Sequence, residues 1–486
     1  MLTFLLSVVA LVLGYIFYGR VVERVVRPDA ARTTPAMAHP DGVDYLPLPN
    51  WKVFMIQFLN IAGTGPIFGA IMGAKFGPAA YLWIVLGSIF AGAVHDYLSG
   101  MLSLRHDGAG LPELIGHYLG QRMRLAVLVF SVFLLVMVGV VFVYSPALIL
   151  GHLCGSTMWW ILVIFAYYVL ATMLPIDRII GKVYPLFAVS LLFMAAALLA
   201  CLLVKWPVLP ELWHGLAHAG SGGEAGTMGA IFPCLFITIA CGAISGFHAT
   251  QSPLMARCMK DERLGRPIFY GAMITEGLVA LVWATVSMYF FYGSPAPGYA
   301  LIEGAANAGF TTPAPAVVSL VCNDWLGVVG GVLALLGVVA APITSGDTAF
   351  RSARLIVADF CRVSQRPVAK RLAVSIPLFV AAIALLFWQV DNPNGFNVVW
   401  QYFGWANQTL AVFTLWTLTV WLSGRGRAYW LTLVPALFMT VVCVSYLLTS
   451  PFAFALSPAV GNGVALCVAT VCLLLFVKRL RGRSKA

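Results

Sequence analysis

Charged residues are scarce in this sequence, and their scarcity excludes most classes of soluble protein. Asp, Glu, Lys and Arg make up 10% of the 486 residues, whereas hydrophobic residues make up 61%. Soluble domains carry about 25% charged residues. No stretch between the apolar segments has the length or the apolar content of a separate soluble domain. The composition therefore indicates an all-α polytopic membrane protein.

Motifs for metal binding and catalysis are also absent. The ten cysteines show no CxxC spacing, so we expect small buried hydrophobic side chains, no metal site and no cofactor. Cys154 and Cys322 both fall near the predicted outer face, where a disulfide and two free thiols are both open alternatives. The sequence contains no nucleophile elbow and no HExxH motif, and we expect no enzyme activity.

Apolar segments of spanning length follow one another along the chain. The first, from Leu2 to Tyr18, has no basic region before it and no small-residue cleavage site after it, which favours a retained helix over a signal peptide. Because a span needs about 20 apolar residues, we predict about thirteen membrane helices. The other twelve lie near residues 51–75, 80–104, 125–150, 158–174, 182–204, 229–256, 267–292, 325–350, 372–390, 397–422, 428–449 and 458–477.

Basic residues are distributed unevenly between the predicted loops. Cytoplasmic loops of membrane proteins are enriched in Lys and Arg. If the N-terminus lies outside, Lys75 and Lys205 are the only two of the 29 Lys and Arg residues on the outer side. We therefore predict an outer N-terminus and a cytoplasmic C-terminus. The formal net charge of +11 is attributed to this topology and not to a nucleic-acid partner.

The segment Asn60–Gly69, NIAGTGPIFG, is predicted to interrupt the second helix. Each Gly costs about 1 kcal/mol relative to Ala in a helix, and a mid-helix Pro costs about 3 kcal/mol. Interrupted backbone at membrane depth survives only inside protein or beside a wet cavity, so the break is a candidate site for an anionic ligand at a half-helix N-terminus. The alternative is a kink that lets two helices approach closely. The free backbone N–H groups of Gly65, Ile67 and Phe68 would face the anion. The candidate substrate contacts are Gly63, Thr64, Gly65, Ile67 and Phe68.

A second interruption is predicted in the seventh helix, within ACGAISGFHATQSP. Ser245, Gly246 and Phe247, at this second break, would complete the substrate site that begins at the first break. By the charge assignment the second and seventh helices run in opposite directions, and each is followed by four spans, as an inverted five-plus-five repeat requires. The predicted divisions are residues 1–50 (peripheral helix and linker), 51–206 and 229–422 (the two repeats), and 428–486 (two peripheral helices and a basic tail).

Four ionisable residues lie deep within the predicted spans other than the ninth: His95, Asp96, His248 and Glu276. Ionisable groups inside a membrane are expensive, so each is a candidate for carrying a coupling proton or cation. The alternative, considered above all for Asp96, is a set of structural ion pairs at the inner gate. The arginines within plausible reach of this region are Arg257, Arg351 and Arg354.

The ninth helix contains a second candidate site for the coupling cation. Thr344 and Ser345, with the Ala341 carbonyl, could offer oxygen ligands to sodium, completed by carbonyls freed at the first break. The alternative is that both hydroxyls bond back to their own helix. Asp347 is the candidate proton carrier, although a permanent ion pair with Arg351 one turn later is also open. We favour a proton as the coupling ion.

The eleventh helix carries two uncharged polar residues at core depth, Asn407 and Gln408. They offer donors and acceptors that either position substrate or hold this helix against the core, and the packing role is favoured.

Several long runs carry a family resemblance. They are NIAGTGPIFG, GSIFAGAVHDYLSG with SLRHDG, GFHATQSPLMARCMKDERLGRPIFYGAMITEG, PITSGDTAFRSARLIVADF and WQYFGWANQTLA. Between about Trp51 and Trp421 the sequence resembles the carbon starvation protein A family. The resemblance implies a secondary transporter of the bacterial inner membrane with a LeuT-like core, which imports peptides or pyruvate, in some members with protons. This chain is shorter than many members of the family.

Two other classes of function remain open. A membrane sensor would bind a nutrient without transporting it, but the longest predicted inner segment has only about thirty residues and offers little room for a signalling domain. An intramembrane enzyme could use His95 and Asp96 as acid and base. No motif supports the sensor or the enzyme. The leading hypothesis is therefore cation-coupled import of a small carboxylate-bearing nutrient through the bilayer.

Overall fold

The computed structural model is helical over the residues that it describes, and it contains no strand among them. It describes the whole chain except residues 43, 154, 174–175, 217–229, 293–313, 366, 393–394, 452 and 484–486. The all-α prediction is therefore confirmed for the described part of the chain.

Most of the described residues lie in helices. In chain order they are α1 Leu2–Val26, α2 Asn50–Ile61, α3 Gly65–Ala74, α4 Ala79–Leu104, α5 Leu111–Leu119, α6 Gln121–Leu153, α7 Thr157–Met173, α8 Ile176–Lys205, α9 231–238, α10 Gly246–Ala256, α11 Glu262–Tyr292, α12 Ala314–Cys361, α13 Val368–Asp391, α14 Gly395–Gly424, α15 Trp430–Thr449 and α16 Pro458–Arg483.

Spanning length and hydropathy support a multi-pass membrane protein. Within the described ranges, eight helices are long and apolar enough to cross a membrane, and the bent pair α2–α3 raises this number to nine. The number of thirteen spans and the inverted repeat stay predictions. Some boundaries differ from expectation: α1 continues to Val26, beyond the predicted end at Tyr18, and α12 extends beyond the predicted 325–350 at both ends, with a kink at Gly327. Helix α5 was not predicted.

A proline inside α6 is compensated by a tyrosine of α7. Pro146 has no backbone N–H, which removes the usual donor to the Phe142 carbonyl. The Tyr168 hydroxyl donates to that carbonyl at 2.8 Å, and it lies 3.0 Å from the Pro342 carbonyl of α12. A side chain at Gly346 would overlap the Tyr168 ring, so a glycine is required for this approach. One hydroxyl thus joins α6, α7 and α12.

Arginines cap the end of α1 on the side that the charge distribution assigns to the cytoplasm. Arg105 forms an ion pair with the buried Glu262 and donates to the carbonyls of Val26 and Arg27, both at 3.1 Å. Arg427 donates to the Val25 carbonyl at 2.8 Å. Because the last carbonyls of a helix carry partial negative charge, these contacts fix α1 against α4 and the end of α14.

Candidate functional site

Both predicted interruptions are present. The first lies between α2 and α3, whose axes differ by 50°, with Pro66 in the first turn of α3. The second lies between α9 and α10, where the chain leaves the helix after Thr238 and Gly242 has a φ of 90°. A positive φ is readily adopted only by glycine, which explains the sequence signal at this position.

The two breaks pack directly against each other. A side chain at Gly65 would overlap the side chain of Cys241, and a Cβ built at Gly242 would lie 3.6 Å from the Pro66 Cα. Further along α3, a Cβ at Gly69 would lie 3.1 Å from the Thr238 carbonyl oxygen. The glycines of both breaks therefore serve close backbone approach, and the two breaks form one buried centre.

Side chains of α4 satisfy the freed carbonyls of the second break. Trp83 Nε1 donates to the Ile239 carbonyl at 2.9 Å, and Ser88 Oγ donates to the Gly242 carbonyl at 2.9 Å. A side chain at Gly92 would overlap the Ala243 carbonyl. Irregular backbone at this depth needs partners from the protein, and α4 supplies them.

Asn407 of α14 caps the N-terminus of α10. Its Oδ1 accepts hydrogen bonds from the Ser245 hydroxyl at 3.0 Å and from the Phe247 backbone N–H at 2.7 Å. A side chain at Gly246 would overlap the α14 backbone at Asn407 and Ala411. The predicted substrate contacts Ser245, Gly246 and Phe247 therefore meet Asn407, which holds α14 against the break.

Gln408 fastens α14 to the other side of the same break. Its Nε2 donates to the carbonyl of Phe236 in α9 at 2.9 Å. The predicted packing role of Asn407 and Gln408 accords with these contacts. Their role in positioning substrate stays a prediction.

The first break corrects one expectation about backbone donors. Ile67 N–H and Phe68 N–H were expected to face an anion, but both donate to the Thr64 carbonyl, at 3.2 and 2.7 Å. The reason is local, because Thr64 adopts helical dihedral angles and its carbonyl begins the first turn of α3. The donors of Ile67 and Phe68 are engaged in this conformation.

Polar side chains of the first break have no hydrogen-bond partners within the described part of the chain. Gln57, Asn60 and Thr64 are fully buried, and all of their side-chain oxygens and nitrogens lack partners there. Their spacing of three and four residues corresponds to one face of α2 continued into the break. Buried polar groups are normally hydrogen-bonded, so this face is a candidate for ligand contact.

The four ionisable residues predicted within the spans form one buried network. Asp96 Oδ1 lies 2.7 Å from His95 Nδ1, and Asp96 Oδ2 lies 2.8 Å from His248 Nδ1. His248 Nε2 lies 3.5 Å from Glu276 Oε2. All four side chains are fully buried. The network joins α4, α10 and α11 beside the second break.

The arginines that were considered for Asp96 have other hydrogen-bond partners. Arg257 donates to the Gly108 carbonyl at 2.9 Å, Arg351 to the Ala171 carbonyl at 2.7 Å, and Arg354 to Gln365 Oε1 at 2.6 Å. Asp96 is held by two histidines, so the alternative of an Asp–Arg pair at this position is not observed among the described residues.

Cys241 lies beside this network and was missed by the sequence reasoning. Its sulfur and one ligand atom each of His248 and Glu276 all lie within 4.8 Å of one another. Cysteine motifs depend on short spacings, and Glu276 comes from another helix, so no motif could reveal the group. The signal available in the sequence was Cys241 next to Gly242 in the second break, seven residues before His248.

Helix α12 touches the first break through a hydroxyl. Ser345 Oγ donates to the Leu59 carbonyl of α2 at 3.0 Å. The cation site between α12 and the carbonyls of this break stays a prediction. Thr344 Oγ1 donates instead to the Ala341 carbonyl at 2.8 Å within its own helix, as the alternative foresaw. Asp347 is fully buried on the same helix. Both hydroxyls are thus engaged in hydrogen bonds to carbonyls in this conformation.

The choice between a Cys154–Cys322 disulfide and two free thiols cannot be followed in the structure, because Cys154 lies outside the described residues. Cys322, its candidate partner, is buried near the beginning of α12.

A comparison with protein families gives a match along most of the chain. The family model described as "Carbon starvation protein CstA" matches residues 1–148, 143–309 and 304–446. These ranges include both breaks, the buried network and α12.

Individual relatives support the same assignment. A protein of Haemophilus influenzae named "Uncharacterized membrane protein" is 43% identical over 357 residues, which cover 64% of this chain and 95% of the relative. A "Peptide transporter CstA" of Campylobacter jejuni is 27% identical over 542 residues, covering 88% of this chain and 77% of the relative. A protein of the same name from Escherichia coli is 26% identical over 590 residues, covering 93% and 80%.

Solved structures of similar fold are transporters. A mutant manganese transporter of Eremococcus coleocola is 11% identical with a TM-score of 0.58, and the match covers 91% of this chain and 99% of that one. The same transporter in complex with an aromatic bis-isothiourea substituted compound gives 12% identity and a TM-score of 0.58, with the same coverage. At this identity the likeness concerns the fold alone.

Proposed function

This chain belongs to the carbon starvation protein CstA family, and on that premise we propose that it is a secondary active transporter of the bacterial inner membrane. It imports a small carboxylate-bearing nutrient, with a peptide favoured over pyruvate, in symport with a cation. The names of the relatives and the fold of the solved structures support a transporter over a sensor or an enzyme.

The observation that carries the proposal is the contact between the two helix breaks. Gly65 meets Cys241 and Gly242 meets Pro66, so two half-helix N-termini, those of α3 and α10, lie in one buried centre. Half-helix N-termini attract anionic groups, and breaks of this kind mark substrate sites in transporters.

The N-terminus of α10 supports a position for the carboxylate. Asn407 Oδ1 accepts from Ser245 Oγ and Phe247 N–H, and a carboxylate oxygen could accept from the same two donors if the Asn407 side chain moved. Substrate would then release α14 from α10. The proposed substrate contacts remain Gly63, Thr64, Gly65, Ile67, Phe68, Ser245, Gly246, Phe247, Asn407 and Gln408.

The first break supports a peptide over pyruvate. The side chains of Gln57 and Asn60 each offer amide donors and an acceptor that are unsatisfied within the described residues. A peptide has backbone N–H and C=O groups that complement such amides, whereas pyruvate has acceptors only. A peptide can therefore bond both the amide donors and the amide acceptors of Gln57 and Asn60.

We propose Asp347 as the group that carries the coupling proton. The Arg354 guanidinium of α12 is near enough for its charge to interact with Asp347, and the hydroxyls of Tyr167 and Tyr168 of α7 also lie near this carboxylate. A carboxylate among such groups can be released and re-engaged as helices move. The network of His95, Asp96, His248 and Glu276 is a second proposed place for a cation. Sodium held by Thr344, Ser345 and the Ala341 carbonyl, together with carbonyls of the first break, is the alternative.

The decisive experiment is transport in proteoliposomes. We expect a pH gradient to drive uptake of labelled di- or tripeptides. Asp347→Asn should abolish this driven uptake and retain counterflow, because exchange needs no net proton movement. Asp324→Asn, at an exposed position before the backbone kink at Gly327 of α12, is the matched control and should retain both activities.

Three outcomes would contradict parts of the proposal. Absence of gradient-driven uptake and counterflow for all peptides and 2-oxoacids would exclude the transporter. Strict sodium dependence that a protonophore does not affect at clamped voltage would exclude the proton. Protease or label accessibility of the N-terminus from the cytoplasmic side would reverse the predicted orientation.

A further inference from the structure

Three side chains with different metal-ligating atoms converge beside the second break. We propose that Cys241, His248 and Glu276 form a binding site for a resident divalent transition-metal ion of the zinc type. These residues form a group of metal-ligating side chains whose ligand atoms lie within 4.8 Å of one another, and all three are buried. The inference goes beyond the proposed transport activity and does not depend on it.

The orientation of His248 supports metal binding. Its Nδ1 lies 2.8 Å from Asp96 Oδ2, and a neutral imidazole that donates from Nδ1 keeps the lone pair on Nε2. That Nε2 is buried and has no hydrogen-bond partner of good geometry among the described residues. A carboxylate behind the second nitrogen of a histidine is the usual arrangement around metal-ligating imidazoles.

The separations of the ligand atoms fit a small ion. His248 Nε2 and Glu276 Oε2 are 3.5 Å apart. Two such atoms on a tetrahedral zinc ion, each at about 2.0–2.2 Å, are about 3.3–3.5 Å apart. The other separations between ligand atoms in the group are at most 4.8 Å. A pair at this limit would have to approach by about 1 Å to fit a tetrahedral zinc ion.

The carboxylates of the site also favour a bound cation. The ion-pair partners of Asp96 and Glu276 are histidines, His95 and His248, in the described part of the chain. Neither Glu276 oxygen has a hydrogen bond of good geometry there, although the Gly242 backbone lies close enough for a weak one. Buried charges are normally paired or coordinate metals, and a divalent ion would offset Glu276 directly.

The surroundings of Cys241 are compatible with a ligating thiolate. Asn407 Nδ2 donates to its sulfur at 3.5 Å, and Gly65 leaves room beside the sulfur where any side chain would overlap it. One sulfur, one imidazole nitrogen and one carboxylate oxygen form a donor set that suits zinc better than magnesium or calcium, which prefer oxygen alone. Three protein ligands leave a fourth position for water or another group.

A resident ion would have a structural consequence. The ion would connect His248 of α10 and Glu276 of α11 to Cys241, which lies in the irregular segment between α9 and α10. With His248 and Glu276 engaged in this way, Asp347 remains the proposed coupling group.

The test uses the purified full-length protein in detergent. Metal content is measured after removal of loosely bound ions, and cobalt is then added to metal-depleted protein as a spectroscopic probe. We expect one equivalent of zinc or cobalt per chain and a thiolate-to-cobalt charge-transfer band. Cys241→Ser should remove the band, and Glu276→Gln should weaken binding. Asp96→Asn should weaken it about 10- to 100-fold, because the imidazole loses its orienting partner.

A matched control and an independent measurement keep the test decisive. Cys443→Ser replaces another buried cysteine outside the group and should retain the band. If a variant does not fold, X-ray absorption of the zinc-loaded wild type should still show one sulfur at about 2.3 Å and nitrogen or oxygen at about 2.0–2.2 Å. No stoichiometric metal, no sulfur ligand, or a band that persists in Cys241→Ser would overturn the proposal. None of these results decides whether the protein transports peptides, which the proteoliposome experiment tests separately.

Discussion

The two helix breaks differ in how their polar groups are satisfied. At the second break, Trp83 and Ser88 bond the freed carbonyls and Asn407 bonds the first donors of α10. At the first break, Gln57 and Asn60 are buried with side-chain atoms that have no partners among the described residues. The protein itself stabilises the second break, whereas polar groups of the first are left for another molecule.

This difference predicts that the second break mainly supports the fold in this conformation, whereas the polar groups of the first break mainly recognise a ligand. Removing one partner of a buried hydrogen bond costs about 1–3 kcal/mol, because the other partner is left unsatisfied. Removing a buried polar group that has no partner carries no such cost. Substitutions at the second break should therefore affect stability first, and substitutions at the first break should affect transport first.

The largest loss of stability is expected for Gly246→Ala. The new Cβ would overlap the backbone of α14 at Asn407 and Ala411, and backbone cannot move aside as a side chain can. Overpacking of this kind costs about 1–3 kcal/mol, and we expect the upper end of this range. Thermal unfolding in detergent measures the change. Gly463→Ala, where no atom lies within 4 Å of the new Cβ, is the control and should not destabilise. Equal behaviour of the two variants would refute the tight contact between α10 and α14.

Asn407→Ala should have the next largest effect. The Ser245 hydroxyl and the Phe247 N–H would both lose their acceptor, at a cost of about 1–3 kcal/mol. Asn407→Asp keeps an acceptor at the cap and should recover part of this stability. Peptide uptake kinetics of the same variants separate the two roles of the residue. A changed apparent affinity with Asn407→Ala supports substrate contact, and an unchanged transport profile at normal expression assigns the residue to packing.

Ser88→Ala should have a smaller effect. It removes one hydrogen bond, from Ser88 Oγ to the Gly242 carbonyl, while Trp83 still bonds the neighbouring Ile239 carbonyl. We expect a loss of about 1 kcal/mol in the free energy of unfolding, with substrate affinity retained. A transport defect without any loss of stability would place α4 in substrate recognition and contradict its role as a support.

Asn60→Ala should have the smallest effect on stability and a large one on transport. The buried amide of Asn60 has no hydrogen bond to lose within the described residues, so the free energy of unfolding should change by less than about 1 kcal/mol. Peptide uptake should fall at limiting substrate concentration, because the substrate loses an amide partner. Unfolding curves and initial uptake rates measured on one preparation test both statements. A clear loss of stability with normal uptake would reverse the comparison between the two breaks.

Much of the fold follows from local sequence properties. Gly63, Gly65 and Pro66 predict the first break because their backbone preferences oppose a helix wherever they occur. Gly242 indicates the second break, because glycine readily adopts positive φ angles, and the backbone has a positive φ at this position. Helix α5 was missed because Leu111–Leu119 is too short for a span and was attributed to a loop. The backbone N–H groups of Ile67 and Phe68 were expected to be free, because the conformation of Thr64 is not visible in a list of residue types.

The sequence by itself determined the membrane environment, the helical class, the two breaks and the inventory of buried ionisable residues, because composition and backbone preference act over a few neighbouring positions. Only the tertiary structure decided which groups meet at the breaks. Asn407 reaches Phe247 across 160 positions and His248 reaches Asp96 across 152. Contacts over such distances depend on how whole helices pack. For the same reason the convergence of Cys241, His248 and Glu276 is a property of the packed bundle and not of any motif.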